Sequence, residues 1–161
     1  MKLILIRHGE SMANVGEMGE ANGLTVKGKE QAKNLAMYLG DNKIDHFYCS
    51  NTTRSIETLT ELLKDRGEEV KVYISRLIGP KMTSETMENL KRRTIRFIED
   101  LKIEFGEEET VAVISHKTTL RTMCFLISGE DRIFDNATAV MIELKTATLN
   151  NLATSYDEMD A

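Results

Sequence analysis

The sequence predicts an α/β protein, a three-layer α/β/α arrangement with a mostly parallel central sheet. Three observations carry that expectation. Strand-like and helix-like segments alternate along the chain. Residues 2–6 and 110–115 are near-continuous apolar, β-branched runs, as suits strands covered on both faces. The segments between strands carry apolar residues at three- and four-residue spacing and stop at glycines.

Taken in order, residues 2–6 form the first strand, and residues 9–23, rich in Gly, Asn and Ser without a period, form a loop. Thr25 is positioned to cap a helix over 26–39, whose Ala32, Leu35, Ala36 and Leu39 share one face. Residues 46–49 read as a short strand. Ser50, Thr52 and Thr53 offer caps for a helix reaching about Arg66, stopped by Gly67. A third strand follows at 70–74. A turn with the only proline, Pro80, then leads into a long helix from about 84 to 105, ended by Gly106. Residues 110–115 are the fourth strand, and 118–127 a helix closed by Gly129. Segments 137–144 and 149–154 suggest two more strands, and no repeat, linker or low-complexity segment interrupts the alternation. The expectation is one domain over residues 1–161, with a frayed acidic tail at 157–161.

Composition narrows the function classes. With 21 Lys plus Arg against 26 Asp plus Glu, the net charge is −5, which argues against a general nucleic-acid or anionic-membrane binder. No apolar run is long enough to span a bilayer, and the opening strand meets Arg7-His8 too soon to read as a signal peptide. Cys49 and Cys124 lie far apart with no CxxC partner, so neither a disulfide framework nor a cysteine zinc site is expected. A cytoplasmic setting fits. The oligomeric state, monomer or dimer, is left open; residues 140–144 offer an edge for dimerisation but read better as an ordinary buried edge strand.

Ligands of such sheets bind at the carboxyl ends of the strands. Three predicted strands end there in reactive residues: Arg7-His8-Gly9-Glu10-Ser11 with Asn14 nearby, Ser50 to Ser55 with Arg54, and Ser115-His116-Lys117. Singly, each histidine reads as a structural residue. Jointly, two histidines and two arginines converge on one edge. His46 opens a strand instead and reads as structural. Arginine so close to a helix N-terminus opposes the macrodipole unless an anion is shared between them. Two arginines would repel a metal cation, so neither metal nor cofactor is expected. Guanidinium forks match phosphate oxygens, and a neutral imidazole is a competent nucleophile toward phosphorus. The combination points to phosphoryl transfer through a phosphohistidine.

These residues resemble the signature of the histidine phosphatase superfamily, which includes cofactor-dependent phosphoglycerate mutases. Leu5-Ile6-Arg7-His8-Gly9-Glu10-Ser11 with Asn14 is similar to its first histidine motif. Gly23-Leu24-Thr25 through Gln31-Ala32 is similar to its "LTxxGxxQA" segment, and Ser50 to Thr58 to its "SxxxRxxxT" helix start. Ser115-His116 with Leu120-Arg121 resembles its second histidine motif, and Ser84-Glu85-Thr86 a "GES" stretch. The resemblance implies a phosphoglycerate mutase-like fold, with His8 as nucleophile and Arg7, Arg54 and His116 binding the phosphoryl oxygens. It further implies Asn14 as an added donor and Gly9 as a place where backbone can come close. Glu10 reads as a solvated loop carboxylate, while Thr25, Gly28 and Gln31 read as a cap, a close helix contact and an exposed polar face.

Two departures stand out. Lys117 replaces the family's glycine after the second histidine; it either adds phosphate affinity or points to solvent. Many members carry "LxE" after the third strand, with a glutamate that protonates the leaving oxygen; here Arg76-Leu77-Ile78-Gly79-Pro80 places glycine there. Glu85 is the nearest carboxylate in a family-like context, though a place in the first helical turn would only serve the dipole. Short bacterial phosphohistidine phosphatases of the superfamily are similar in length and also lack the usual acid. The expected activity is therefore a metal-independent phosphatase acting on a phosphorylated small molecule or phosphoprotein. The alternatives are a mutase-type phosphotransferase and a catalytically weak phospholigand-binding module.

Overall fold

The structure is a computed structural model that describes residues 1–16, 22–67 and 69–145. Its frame is a five-stranded sheet: β1 (Lys2–Arg7), β2 (His46–Ser50), β3 (Lys71–Ser75), β4 (Thr110–Ser115) and β5 (Ala139–Glu143). The spatial order is β3-β2-β4-β1-β5, parallel except for β5, which runs antiparallel to β1. β1 and β4 are in register from Lys2↔Thr110 to Arg7↔Ser115, so His8 and His116 leave adjacent strands at the same level.

Helices cover both faces. Because successive strand residues point to opposite sides, Ile4 and Ile6 meet α1 (Val26–Leu39) and α2 (Thr53–Leu63) through Leu35, Leu39, Leu59 and Leu62. Leu3 and Leu5 pack with α3 (Met87–Glu104) and α4 (Lys117–Ser128) through Phe97, Leu101, Leu120 and Met123. The two central strands are therefore apolar on both faces, which is why they read as unbroken hydrophobic runs.

Thr25 caps α1 by accepting from the Gly28 N–H at 2.9 Å, and Gly129 closes α4 in the left-handed region at φ 74°. Three expectations need correction. α2 ends at Leu63 rather than near Arg66, and its N-cap Thr52 turns its hydroxyl to Ser55 instead of to the helix amides. α3 begins at Met87 with Thr86 as its cap, so Ser84 and Glu85 precede the helix. The final strand covers Ala139–Glu143 rather than 137–144, because Ala137 takes a positive φ of 52° and turns the chain just before it. The expected strand at 149–154 and the acidic tail lie outside the described residues. Among the described residues no helix is long and apolar enough to cross a membrane.

Candidate active site

At the carboxyl end of β1, His8 is only 3% exposed. Its backbone is held by Ser115 and Ala137, which belong to the chain on either side of β1. The ring Nδ1 lies 2.7 Å from the Gly9 carbonyl oxygen. A carbonyl can only accept, so Nδ1 carries the proton and Nε2 keeps the lone pair. That lone pair receives the Arg54 Nε–H at 3.3 Å. Burial pushes the His8 pKa down to about 4; the Gly9 carbonyl opposes the shift, and the charges of Arg54 and Arg7 add to it. The imidazole is neutral at physiological pH.

Arg54 reaches His8 from the first turn of α2 and also contacts His116, its Nη2 lying 3.4 Å from Nδ1. His116 is the N-cap residue of α4 and places its Nε2 2.8 Å from the Ser50 hydroxyl. The two imidazole centroids are 5.1 Å apart. Burial holds the His116 pKa far below its usual value, with His8, Arg54, Arg93 and Arg7 adding to that. A guanidinium can only donate, so Nδ1 keeps the lone pair and Nε2 carries the proton, which it donates to the Ser50 hydroxyl.

Arg7 donates from Nη1 to the Phe134 carbonyl at 2.9 Å, while its Nε is buried with no partner. Burial lowers the pKa of both guanidiniums; Asp135 opposes this for Arg7, and Arg7 adds to it for Arg54. Neither forms a salt bridge with any described carboxylate. Two half-buried cations, one with an orphaned donor, beside two neutral imidazoles and the start of α4, form a receptor for a compact multivalent anion. Among the described residues, no group of three His, Cys, Asp or Glu side chains could hold a metal ion.

The remaining expected residues divide. Asn14 binds the Ser11 N–H and hydroxyl through Oδ1, which leaves its NH₂ as the free donor end. Lys117 is exposed at the start of α4. Gly9 does allow a close approach, but of α1: a Cβ there would lie 2.5 Å from the Gly28 oxygen, and one on Gly28 would lie 2.0 Å from the Glu10 oxygen. Glu10 is not simply solvated; it accepts from the Thr25 hydroxyl, and its N–H donates to Gln31 Oε1. Gln31 is therefore a loop anchor rather than an exposed polar face. Glu85 takes two guanidinium bonds from Arg93, which hold its carboxyl below the usual range. His46 sits at the amino end of β2, against Glu109 and Phe105, far along the sheet from the cluster.

Sequence reasoning missed the supports. Thr58 accepts from the Gly9 N–H and donates to the Arg54 carbonyl, joining the β1 loop to α2. Its place four residues after Arg54 was the available signal. Ser50, read as a helix cap, instead orients His116. Arg93 gave no signal on its own, since exposed and half-buried arginines on a helix read alike.

Two histidines and two arginines thus meet at the carboxyl edge of a mostly parallel sheet, the place where α/β proteins bind their ligands. Residues 3–78, just under half of the chain, match the sequence profile of the histidine phosphatase superfamily (branch 1). The matched stretch includes Arg7, His8 and Arg54; His116 lies beyond it and joins them through the fold. Phosphoserine phosphatase 1 of Hydrogenobacter thermophilus is 29% identical over 167 residues, covering 81% of this chain and 78% of that protein. The adenosylcobalamin/alpha-ribazole phosphatase of Escherichia coli is 37% identical over 75 residues, 45% of this chain and 37% of the other. The crystal structure of the alpha-ribazole phosphatase from Shigella flexneri superposes with a TM-score of 0.76 at 24% identity, covering 91% of this chain and 92% of that one, and shows the shared fold.

Proposed function

We propose that the protein is a phosphatase that transfers a phosphoryl group to His8 Nε2 and then to water. The observation that carries this reading is the pairing of a neutral His8, its lone pair fixed on Nε2, with two guanidiniums that have no carboxylate partner among the described residues. In the first step Nε2 gives its lone pair to phosphorus while the bond to the leaving group breaks, and the leaving atom keeps that electron pair. Arg7, Arg54 and His116 take the charge that spreads over the three remaining oxygens. Water then attacks the phosphorus, the P–N bond returns its electrons to Nε2, and phosphate leaves.

Glu85, the one carboxylate expected as a proton donor, is held ionised by Arg93 and has no proton to give at neutral pH. This favours leaving groups that depart without protonation, such as aryl phosphates, anhydrides and phosphoramidates. The similarity to proteins named for phosphoserine and α-ribazole supports a phosphorylated small molecule as substrate, and a phosphoprotein side chain meets the same chemistry.

Intact mass after a rapid, acid-free quench with p-nitrophenyl phosphate tests the reading in wild type and His8→Ala. One added phosphoryl group in wild type alone, with nitrophenol released, is expected. Neither adduct nor turnover would leave a phosphate-binding module, and an adduct that resists water would favour a mutase-type transferase.

A further inference from the structure

The connection between β3 and α3, residues 76–86, runs beside the cluster and is held by an unusual concentration of donors on its carbonyls. Ser115, the last residue of β4, donates to the Ile78 oxygen at 2.6 Å. Thr119, in the first turn of α4, donates to the Gly79 oxygen at 2.8 Å. Arg93 of α3 reaches the Leu77 and Gly79 oxygens from Nη1, at 2.7 and 3.0 Å, and the Pro80 oxygen from Nη2 at 3.0 Å. The same guanidinium binds both oxygens of Glu85, from Nε at 2.8 Å and Nη2 at 2.9 Å. Four successive carbonyls, Leu77 to Pro80, thus each have a donor, and none is left unpaired to repel an anion. Ser115 and Thr119 flank His116, so the segment they grip forms a wall of the same site.

We infer that Arg93 is a positioning residue: one guanidinium, closed by Glu85, fixes residues 77–80 as a rigid wall beside His116 and so sets how the substrate's leaving group is seated. This rests on the phosphatase reading given above. Only arginine suits the role. Its planar fork can serve three carbonyls and a carboxylate at once, whereas an ammonium offers a single point of charge. Arg93 and Glu85 carry opposite charges, so the pair adds no net charge to the wall, although the guanidinium alone still acts on His116. The pair spans the turn that carries Pro80, whose ring removes one backbone donor and stiffens that turn further.

Charge and position can be separated because the two partners have opposite signs. Arg93→Met removes a cation near an anion site, and Glu85→Gln removes an anion. A purely electrostatic role moves KM in opposite directions for the two variants. A positioning role moves both the same way: KM for p-nitrophenyl phosphate rises by about 10-fold in Arg93→Met and by a smaller factor in Glu85→Gln. Arg93→Lys, which restores the charge but not the fork, stays closer to Arg93→Met than to wild type. Backbone hydrogen exchange at the amides of residues 77–79 should quicken in both variants, and this readout needs no turnover. Opposite KM shifts, full rescue by lysine, or unchanged exchange would overturn the inference. A Glu85→Gln variant that loses kcat on alkyl phosphates but keeps it on p-nitrophenyl phosphate would instead make Glu85 the proton donor. If wild type forms no phosphoenzyme, the phosphatase reading fails, and the exchange experiment still decides whether Arg93 holds the wall.

Discussion

His8 shows how one backbone contact decides a residue's chemistry. The Gly9 carbonyl fixes the proton on Nδ1, and burial keeps the ring from taking a second one. Its native pKa of about 4 lies below the 6.5 of an unperturbed imidazole, so the unfolded chain is protonated first as the pH falls. The stability tied to this group is therefore complete above the unfolded value and is lost as the pH drops toward the native one. A proton-detected titration should place the His8 resonance near pH 4, and the urea midpoint should fall between pH 6.5 and 4 more steeply in wild type than in His8→Asn. A His8 resonance titrating at its ordinary value would refute the assignment. His8, Arg7, Arg54 and His116 were legible in the sequence because each ends a strand or opens a helix, where the topology alone fixes its neighbours. Glu10, Gln31 and Thr58 fall inside the motif segments, but their supporting roles were not legible, since the Glu10–Gln31 and Gly9–Thr58 bonds join separate elements whose approach no local pattern encodes.

At the scale of elements, the site depends on how closely α1 and α2 grip the loop after β1. Backbone meets backbone between Gly9 and Gly28, and Thr58 joins the Gly9 amide to α2. Gly28→Ala forces a methyl group against the Glu10 carbonyl and should destabilise the fold by about 1–3 kcal/mol, read from the urea midpoint. Thr58→Val, nearly the same shape, leaves the buried Gly9 N–H unpaired and should cost about 1–3 kcal/mol. Because that amide adjoins His8, turnover of p-nitrophenyl phosphate should fall as well. An unchanged midpoint in either variant would mean that the loop has a second anchor. The late start of α3 belongs to the same scale. Ser84 and Glu85 have the composition of a helix entrance, but Thr86 caps the N-terminus, and Glu85 is drawn to Arg93 eight residues ahead. Helix periodicity locates α3 well, yet it cannot see a side chain that folds back over the preceding turn.

The whole molecule unites connections far apart in the chain: the β1 loop, the start of α2 and the start of α4 meet at one edge of the sheet, where the anion site is proposed. An anion that binds there ties all three together and should stabilise only the folded chain. Orthovanadate at about 100 times its Kd should add about 2.7 kcal/mol, which for this size is a Tm rise of roughly 5–10 °C. That rise should vanish in Arg7→Met and Arg54→Met, and a shift that survives both would place the anion elsewhere. Turnover of p-nitrophenyl phosphate should be indifferent to added EDTA, and loss of activity on chelation would bring a metal into the reaction. The alternation of strands and helices makes this architecture legible in the sequence, because central strands buried on both faces leave a continuous apolar mark. The exposed β3 edge left a weaker mark, its Val72 and Ile74 being 40% and 53% exposed. The Arg54 fork is set between His8 Nε2 and His116 Nδ1. On the phosphatase reading proposed above, this guanidinium covers the very lone pair that would attack phosphorus, so the phosphoryl oxygens would have to take over its N–H groups before the nitrogen could react. The nucleophile would then be unsheathed only by its own kind of target.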